Sequence, residues 1–359
     1  SYESVVEIND FEATARMKTL SANGQWFEDN APIMDSHKRR KVQGITYNVV
    51  SVAMLGGDVS PSSPIGINLP NSNWIRSNFG SKSVSLGNIT AAYDKARSGG
   101  FLDEFAYTDK EKERSKKHGS FAGKMHTAMH EVLGHASGKL EEGVGTPKET
   151  LKNYASTIEE GRADLFGLYY IMDPKLIEMG LVDSDEVGKA EYDGYIRNGL
   201  MLQLRRIQPG EKIEQSHMRN RAYISHWAFE QGRPDNIIEK KISDGKTYFV
   251  INDYEALQTI FGELLREIQR IKSQGDYEAA KQLVEKYGVN VDQAIHEEVL
   301  ERSKALNIPP YAGFMNPHYK PVTDENEAIT DIMITYPDNF LEQMLYYDEH
   351  YAFLPLENN

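Results

Sequence analysis

The sequence contains no cysteine. Disulfides, thiolate nucleophiles and cysteine-ligated zinc or iron–sulfur centres are therefore excluded, and any metal must be held by His, Asp or Glu. The lack of disulfides fits a reducing compartment, so a cytoplasmic location is the expectation. No apolar run approaches the roughly 18 residues of a membrane-spanning helix, and no membrane partner is expected. Positive charge is in deficit: 40 Lys and Arg stand against 54 Asp and Glu, a net charge of −14. An acidic protein repels phosphate backbones, which argues against nucleic acid as a partner. Nothing at the start reads as a signal peptide. The chain opens on Ser1 in polar sequence; a natural start further upstream is expected, so that lack carries no weight. There is no GxSxG elbow, P-loop or GxGxxG.

What is present suits a globular protein. The chain has 359 residues, 40% hydrophobic and 26% charged, enough for one large domain or two ordinary ones. The expected fold is mainly α (α+β), with a minor β part towards the N-terminus. Residues 8–22 have helical periodicity, and the β-branched run 42–55 reads as one strand or two. The Gly-, Pro-, Ser- and Asn-rich stretch 56–73 reads as a long loop, of the kind that is usually functional or disordered. Residues 102–118 are highly charged and read as a solvated helix or a linker. From 120 to 305 the pattern is helical, clearest at 120–139, 150–171, 186–205, 211–231, 254–273, 276–287 and 291–305. Asp244-Gly245 between short β-prone runs predicts a hairpin over 241–253. After Pro309-Pro310 the chain reads as irregular, with a last helix over 326–346. These features divide it into a mixed segment 1–101, a helical lobe 102–308 and a tail 309–359.

The segment that carries chemistry is His126-Thr-Ala-Met-His130-Glu131-Val-Leu-Gly134-His135. Two His residues flanking a Glu on a helix form the usual layout of a hydrolytic zinc site. Neutral imidazole nitrogens suit Zn²⁺, and a Glu beside the first His can take a proton from water. The spacing is unusual. Residues four apart lie about 40° apart around a helix, but five apart gives about 140°. A one-residue π-bulge would bring His130 and His135 together, and Gly134 is a residue type that tolerates distortion. His126 and His130, four apart, form a competing pair, but Thr127 then stands where the Glu belongs.

A third ligand is needed, with one open position. The candidate stretch holds Glu159, Glu160 and Asp164, beginning 24 residues after His135. Gly143, Gly145 and Pro147 between them allow the chain to reverse. Glu160 and Asp164 share a helical face; one can ligate while the other supports a ligating His. Glu159 projects differently and reaches a metal only if the helix is rotated. Acidic residues on a helix are ordinarily just solvated; the preceding His-rich helix is what singles these out.

HEVLGH at 130–135 and EEGRAD at 159–164 resemble the HExxGH and EExxA(E/D) pair of the dipeptidyl peptidase III family of zinc metallopeptidases. GINLPN at 66–71, VSLGN at 84–88 and SHMRNRA at 216–222 are also similar to that family, and the likeness runs from about 28 to 305. The resemblance implies one Zn²⁺ held by His130, His135 and Glu160, with Glu131 activating water and Glu159 and Asp164 orienting the ligating His. It implies that Asn68 and Asn71 bind the free N-terminus and backbone of an oligopeptide substrate. It further implies that His217 stabilises the transition state and that Arg221 helps hold the substrate. Outside the resemblance, an Asn in such a loop is more often a turn former, and a lone His or Arg on a helix more often a surface residue.

The implied function is hydrolysis of dipeptides from oligopeptide N-termini. Members of that family are two-lobed and about twice as long. Their N-terminal lobe supplies a five-stranded β-barrel, an acidic anchor for the substrate amine and a tyrosine. This chain matches only their second part, and the Arg-Lys pair they carry is not evident at 305–312. A missing N-terminal lobe is thus expected to complete the site. The alternative is a catalytically silent, zinc-containing peptide-binding fragment, against which the intact Glu131 counts.

Overall fold

The computed structural model describes residues 3–42, 46–57, 64, 66–69, 75, 82–97, 100–308 and 315–351. The N-terminal region combines strand β1 (Glu3–Asn9), helices α1 (Phe11–Ala22) and α2 (Gly24–Asn30), strands β2 (Thr46–Gly57), β3 (Gly66–Leu69) and β4 (Lys82–Leu86), and helix α3 (Gly87–Arg97). The sheet order is β1-β2-β4-β3, with β2 and β4 parallel and the other pairs antiparallel. Its core is small: Val50, Val52, Leu55, Leu86 and Ile89. Strand β1 is absent from the sequence reading. It is an edge strand whose outward Val6 and Ile8 are exposed, so it lacks the buried face that makes alternation legible. Part of the expected long loop, 66–69, pairs as β3.

A mostly helical region follows. Its elements are α4 (Phe101–Phe105), α5 (Asp109–Met129), a π-helical turn (His130–Gly134), α6 (Pro147–Thr150), α7 (Ala155–Tyr170), α8 (Pro174–Glu178), α9 (Glu186–Leu200) and α10 (Ser216–Gln231). Then come the hairpin β5 (Ile238–Ser243) and β6 (Lys246–Ile251), and α11 (Tyr254–Gln274), α12 (Tyr277–Val284) and α13 (Gln293–Leu306). The hairpin turns at Asp244 and Gly245, both with positive φ, as a type I′ turn requires. In α11 the buried Leu257, Ile260, Phe261, Leu264, Leu265, Ile268 and Ile271 recur at helical spacing. Asp253 caps its first turn through the Ala256 amide, and Gly275 ends it in the left-handed conformation, as expected of these residue types.

Helices α1 and α2 pack into the same core as the helices from Phe101 onward. Phe27 and Tyr170 meet edge to face at 4.9 Å, and the Tyr170 hydroxyl donates to the Phe27 carbonyl at 2.6 Å. The charged run 102–118 is neither a linker nor merely solvated. Within it Arg114 is buried and donates to Glu186 and Asp193 at 2.8 and 2.7 Å, while buried Glu111 pairs with Arg197. Charge there serves a buried network joining α5 to α9, since a buried ion needs its partner.

The tail differs from its sequence reading. Strands β7 (His318–Thr323) and β8 (Ile329–Thr335) form a hairpin, and α14 (Phe340–Tyr351) begins well after 326. Both strands are solvent-facing along nearly their whole length, so again no alternation marks them. Asn316 ties this tail to the sheet: its Oδ1 accepts from the Leu55 amide at 2.9 Å, and its Nδ2 donates to the Leu55 carbonyl at 3.0 Å. Among the described residues no helix is long and apolar enough to cross a membrane.

Candidate metal centre

The two imidazoles come together as the bulge predicts. The His135 amide donates to the His130 carbonyl at 3.1 Å, five residues back, and the rings stand nearly perpendicular with centroids 4.8 Å apart. Gly134 earns its place differently from the expectation. Its φ is not positive; instead α7 crosses so closely that a Cβ there would lie 2.7 Å from the Ala163 Cα and 2.9 Å from its carbonyl oxygen. The glycine lets the motif helix touch the carboxylate helix.

Each ring is held from behind by a carboxylate of α7. His130 Nδ1 donates to Asp164 Oδ1 at 2.6 Å, and His135 Nδ1 donates to Glu159 Oε1 at 3.0 Å. An ionised carboxylate only accepts, so Nδ1 carries a proton and Nε2 is the nitrogen that faces away from it. Both Nε2 atoms turn to Glu160, whose Oε2 lies 3.2 Å from that of His130 and 4.0 Å from that of His135. Glu131 converges on the same point: ligand atoms of His130, Glu131 and His135 lie within 4.8 Å of one another. His217, on α10, brings Nδ1 to 3.7 Å from Glu160 Oε2 while its ring stays about half exposed.

The electrostatics favour a cation here. Burial pushes the His130 ring down, but the Asp164 and Glu160 carboxylates outweigh it and raise it to about 10. Burial likewise opposes ionisation of Asp164 and Glu160. The imidazoles beside them nevertheless hold both below the usual carboxylate range, Asp164 far below it. A dication competes with that proton for the same lone pair. Two imidazole nitrogens and a carboxylate oxygen, each imidazole backed by its own carboxylate, form the donor set and support that zinc takes in hydrolytic sites.

The competing pair is dissolved by its surroundings. His126 Nδ1 donates to Glu191 at 2.7 Å, and its Nε2 lies 3.0 Å from the Asp164 carbonyl. That ring is spent bridging α5, α9 and α7. Arg221, four residues after His217 on α10, is close enough for its charge to lower the Asp164 carboxyl. Asn68 is paired with Ser83 in the β3–β4 register; its side chain, and all of Asn71, lie outside the described residues.

Sequence reasoning missed the groups behind the carboxylates. Asp164 Oδ2 accepts from Tyr195 at 2.8 Å and Asn220 at 2.9 Å. Glu159 accepts from Arg162 at 2.7 Å and from Lys272 at 2.6 Å. Tyr195, Asn220 and Lys272 come from α9, α10 and α11, so no local spacing reveals them. A further buried carboxylate, Glu28, accepts from the Arg39 and Gly138 amides and the Ser137 hydroxyl, at 2.6, 3.0 and 2.5 Å. It fixes the chain where it leaves the motif.

The chain belongs to peptidase family M49, whose pattern matches residues 1–144 and 142–307. It is 27% identical over 323 residues to dipeptidyl peptidase 3 of Nematostella vectensis, covering 80% of this chain and 43% of that protein. Against human dipeptidyl peptidase 3 the identity is 27% over 330 residues, covering 81% and 44%. The solved structure of dipeptidyl peptidase III from Caldithrix abyssi matches with a TM-score of 0.69 at 25% identity, covering 85% of this chain and 58% of that one. The chain therefore spans less than half the length of these curated relatives, and its mainly α architecture is that of the M49 fold.

Proposed function

We propose that this chain is the metal-bearing part of a zinc exopeptidase that releases dipeptides from the N-termini of oligopeptides. The observation that carries the reading is the shared orientation of His130 and His135. Each Nδ1 is given to its own carboxylate, and each Nε2 faces Glu160. We assign His130, His135 and Glu160 as the zinc ligands, with Asp164 and Glu159 orienting the rings. Glu160 is preferred to Glu131 as third ligand because its Oε2 lies against both Nε2 atoms, which leaves Glu131 available as a base. The restriction to N-terminal dipeptides rests on the relatives named dipeptidyl peptidase 3 and on the GINLPN loop.

A zinc ion in such a site supplies Lewis acidity and acidifies water near neutral pH. Glu131 takes a proton from the attacking water and delivers it to the departing amine nitrogen as the C–N bond breaks. His217, beside Glu160 and open to solvent, donates to the oxygen that gains charge. Asp164 and Glu159 hold the two rings in one tautomer throughout.

The deciding experiment is zinc content of the wild-type protein and of His135→Ala, followed by assay on dipeptide arylamides. About one zinc per chain, lost in the variant, supports the ligand set. Zinc retained by His135→Ala would move the site to His126 and His130. Zinc bound without turnover would leave a silent peptide-binding module, a reading that the short span relative to the relatives keeps in view.

A further inference from the structure

The carboxylates behind the two imidazoles are not equivalent. Asp164, behind His130, is hydrogen-bonded by a phenol and an amide, those of Tyr195 and Asn220, while the His126 ring, 3.8 Å away, and Arg221 act on it only at longer range. Glu159, behind His135, is gripped by two cations. Arg162 Nη2 and Nε donate to its two oxygens at 2.7 and 3.2 Å, and Lys272 Nζ reaches Oε2 at 2.6 Å. The Arg162 side chain is wholly buried and that of Lys272 is 13% exposed. Arg162 lies one turn from Glu159 on α7 and grips both oxygens, so it is sufficient to fix where the carboxylate points. Lys272 arrives from the last turn of α11 and adds a second charge to a group already oriented.

We infer that Lys272 is a positioning residue that acts on His135 through Glu159, adding to Arg162 a second positive charge against that carboxylate so that His135 is the weaker of the two imidazole donors. The inference rests on the zinc reading above. A carboxylate carrying its full charge makes the imidazole it accepts from a stronger ligand. A cation beside it removes that enhancement and also repels a nearby dication. The outcome is an asymmetric site in which His130 anchors the metal and the His135 side is held loosely. Weaker donation from His135 leaves the metal more electron-poor, which suits a site that must polarise a carbonyl.

The sign of the effect separates this role from a merely structural one. Damage to a supporting shell weakens metal binding. Removing a tuning cation strengthens it. Zinc affinity would be measured at pH 7 by competition with a chelator, and the visible spectrum recorded with Co²⁺ in place of zinc, for the wild type, Lys272→Met, Lys272→Gln and Lys272→Arg. Lys272→Met and Lys272→Gln are expected to bind zinc about tenfold or more tightly and to shift the Co²⁺ bands, while Lys272→Arg stays close to wild type. Weaker or unchanged binding in folded Lys272→Met and Lys272→Gln would overturn the inference while leaving the zinc site standing. A wild type that binds no zinc would overturn both. If Lys272→Met does not fold, Lys272→Gln alone decides.

Discussion

The His135 amide reaches past the usual fourth-residue acceptor to the His130 carbonyl, 3.1 Å away, and this five-residue hydrogen bond belongs to the π-helical turn that sets both rings on one side of the helix. Without it the rings would diverge by about 140°. The contact of Gly134 with Ala163 then brings that bulge against α7.

Gly134→Ala is therefore expected to force the two helices apart. A Cβ 2.7 Å from a backbone atom cannot be absorbed by a rotamer change. The cost should be about 1–3 kcal/mol of stability, as for other overpacked sites. Zinc affinity should fall with it, because all three facing carboxylates ride on α7. Chemical denaturation and chelator competition on the same variant read the two effects; full stability with unaltered affinity would contradict the account.

Glu131 and Glu160 converge on the same imidazoles but should separate by assay. Glu131→Gln is expected to retain about one zinc and to lose turnover by about 10²–10⁴-fold. Glu160→Ala is expected to lose zinc at concentrations where Glu131→Gln keeps it. The reverse pattern would exchange the two assignments.

Asp164→Asn keeps the shape of the side chain and removes its charge. The His130 ring then loses the charged acceptor that fixes its tautomer and makes it a stronger donor. A weakening of zinc affinity by about 10–100-fold is expected, because one amide oxygen cannot accept from His130 on one side and from Tyr195 and Asn220 on the other. Isothermal titration with zinc tests this directly.

His226, remote from the metal, is one of the groups that contribute to the pH dependence of stability. His226 lines a surface hollow with Phe229, Tyr287 and Asp292. Burial pushes its imidazole below the ordinary 6.5, and the Asp292 charge opposes this without cancelling it. The folded protein holds the ring neutral, so the unfolded chain takes up the proton first as pH falls. Stability from this group is thus undiminished above about 6.5 and is lost below it, down to the depressed folded value. Melting temperatures followed through mildly acidic pH should fall more steeply for the wild type than for His226→Gln.

How much of this was readable depended on whether a signal was local. The HEVLGH helix, its bulge, the α7 carboxylates and the Asp244-Gly245 hairpin all rest on spacings of a few residues, and all appear. The residue type of Gly134 fits the bulge, but its close approach to Ala163 is a property of the fold and not of the helix. Strands β1, β7 and β8 went unread because a strand without a buried face carries no alternation. The charge of 102–118 reads as a solvated helix or a linker, because nothing nearby in sequence reveals that Arg114 meets Asp193 on α9. Tyr195, Asn220 and Lys272 stayed hidden for the same reason.

Glu159, Glu160 and Asp164 lie within two turns of a single helix. The centre is in effect a jaw with two faces, one presenting nitrogen and the other oxygen, closed at the point where Gly134 meets Ala163. The three carboxylates share one helix, so none of them retreats alone by a backbone movement. A slip of α7 along its axis would carry Glu159, Glu160 and Asp164 together, so the jaw opens as a unit or not at all. Emptying it should accordingly be felt along the whole seam between α5 and α7 as faster amide exchange, with the distant hairpins left as they were.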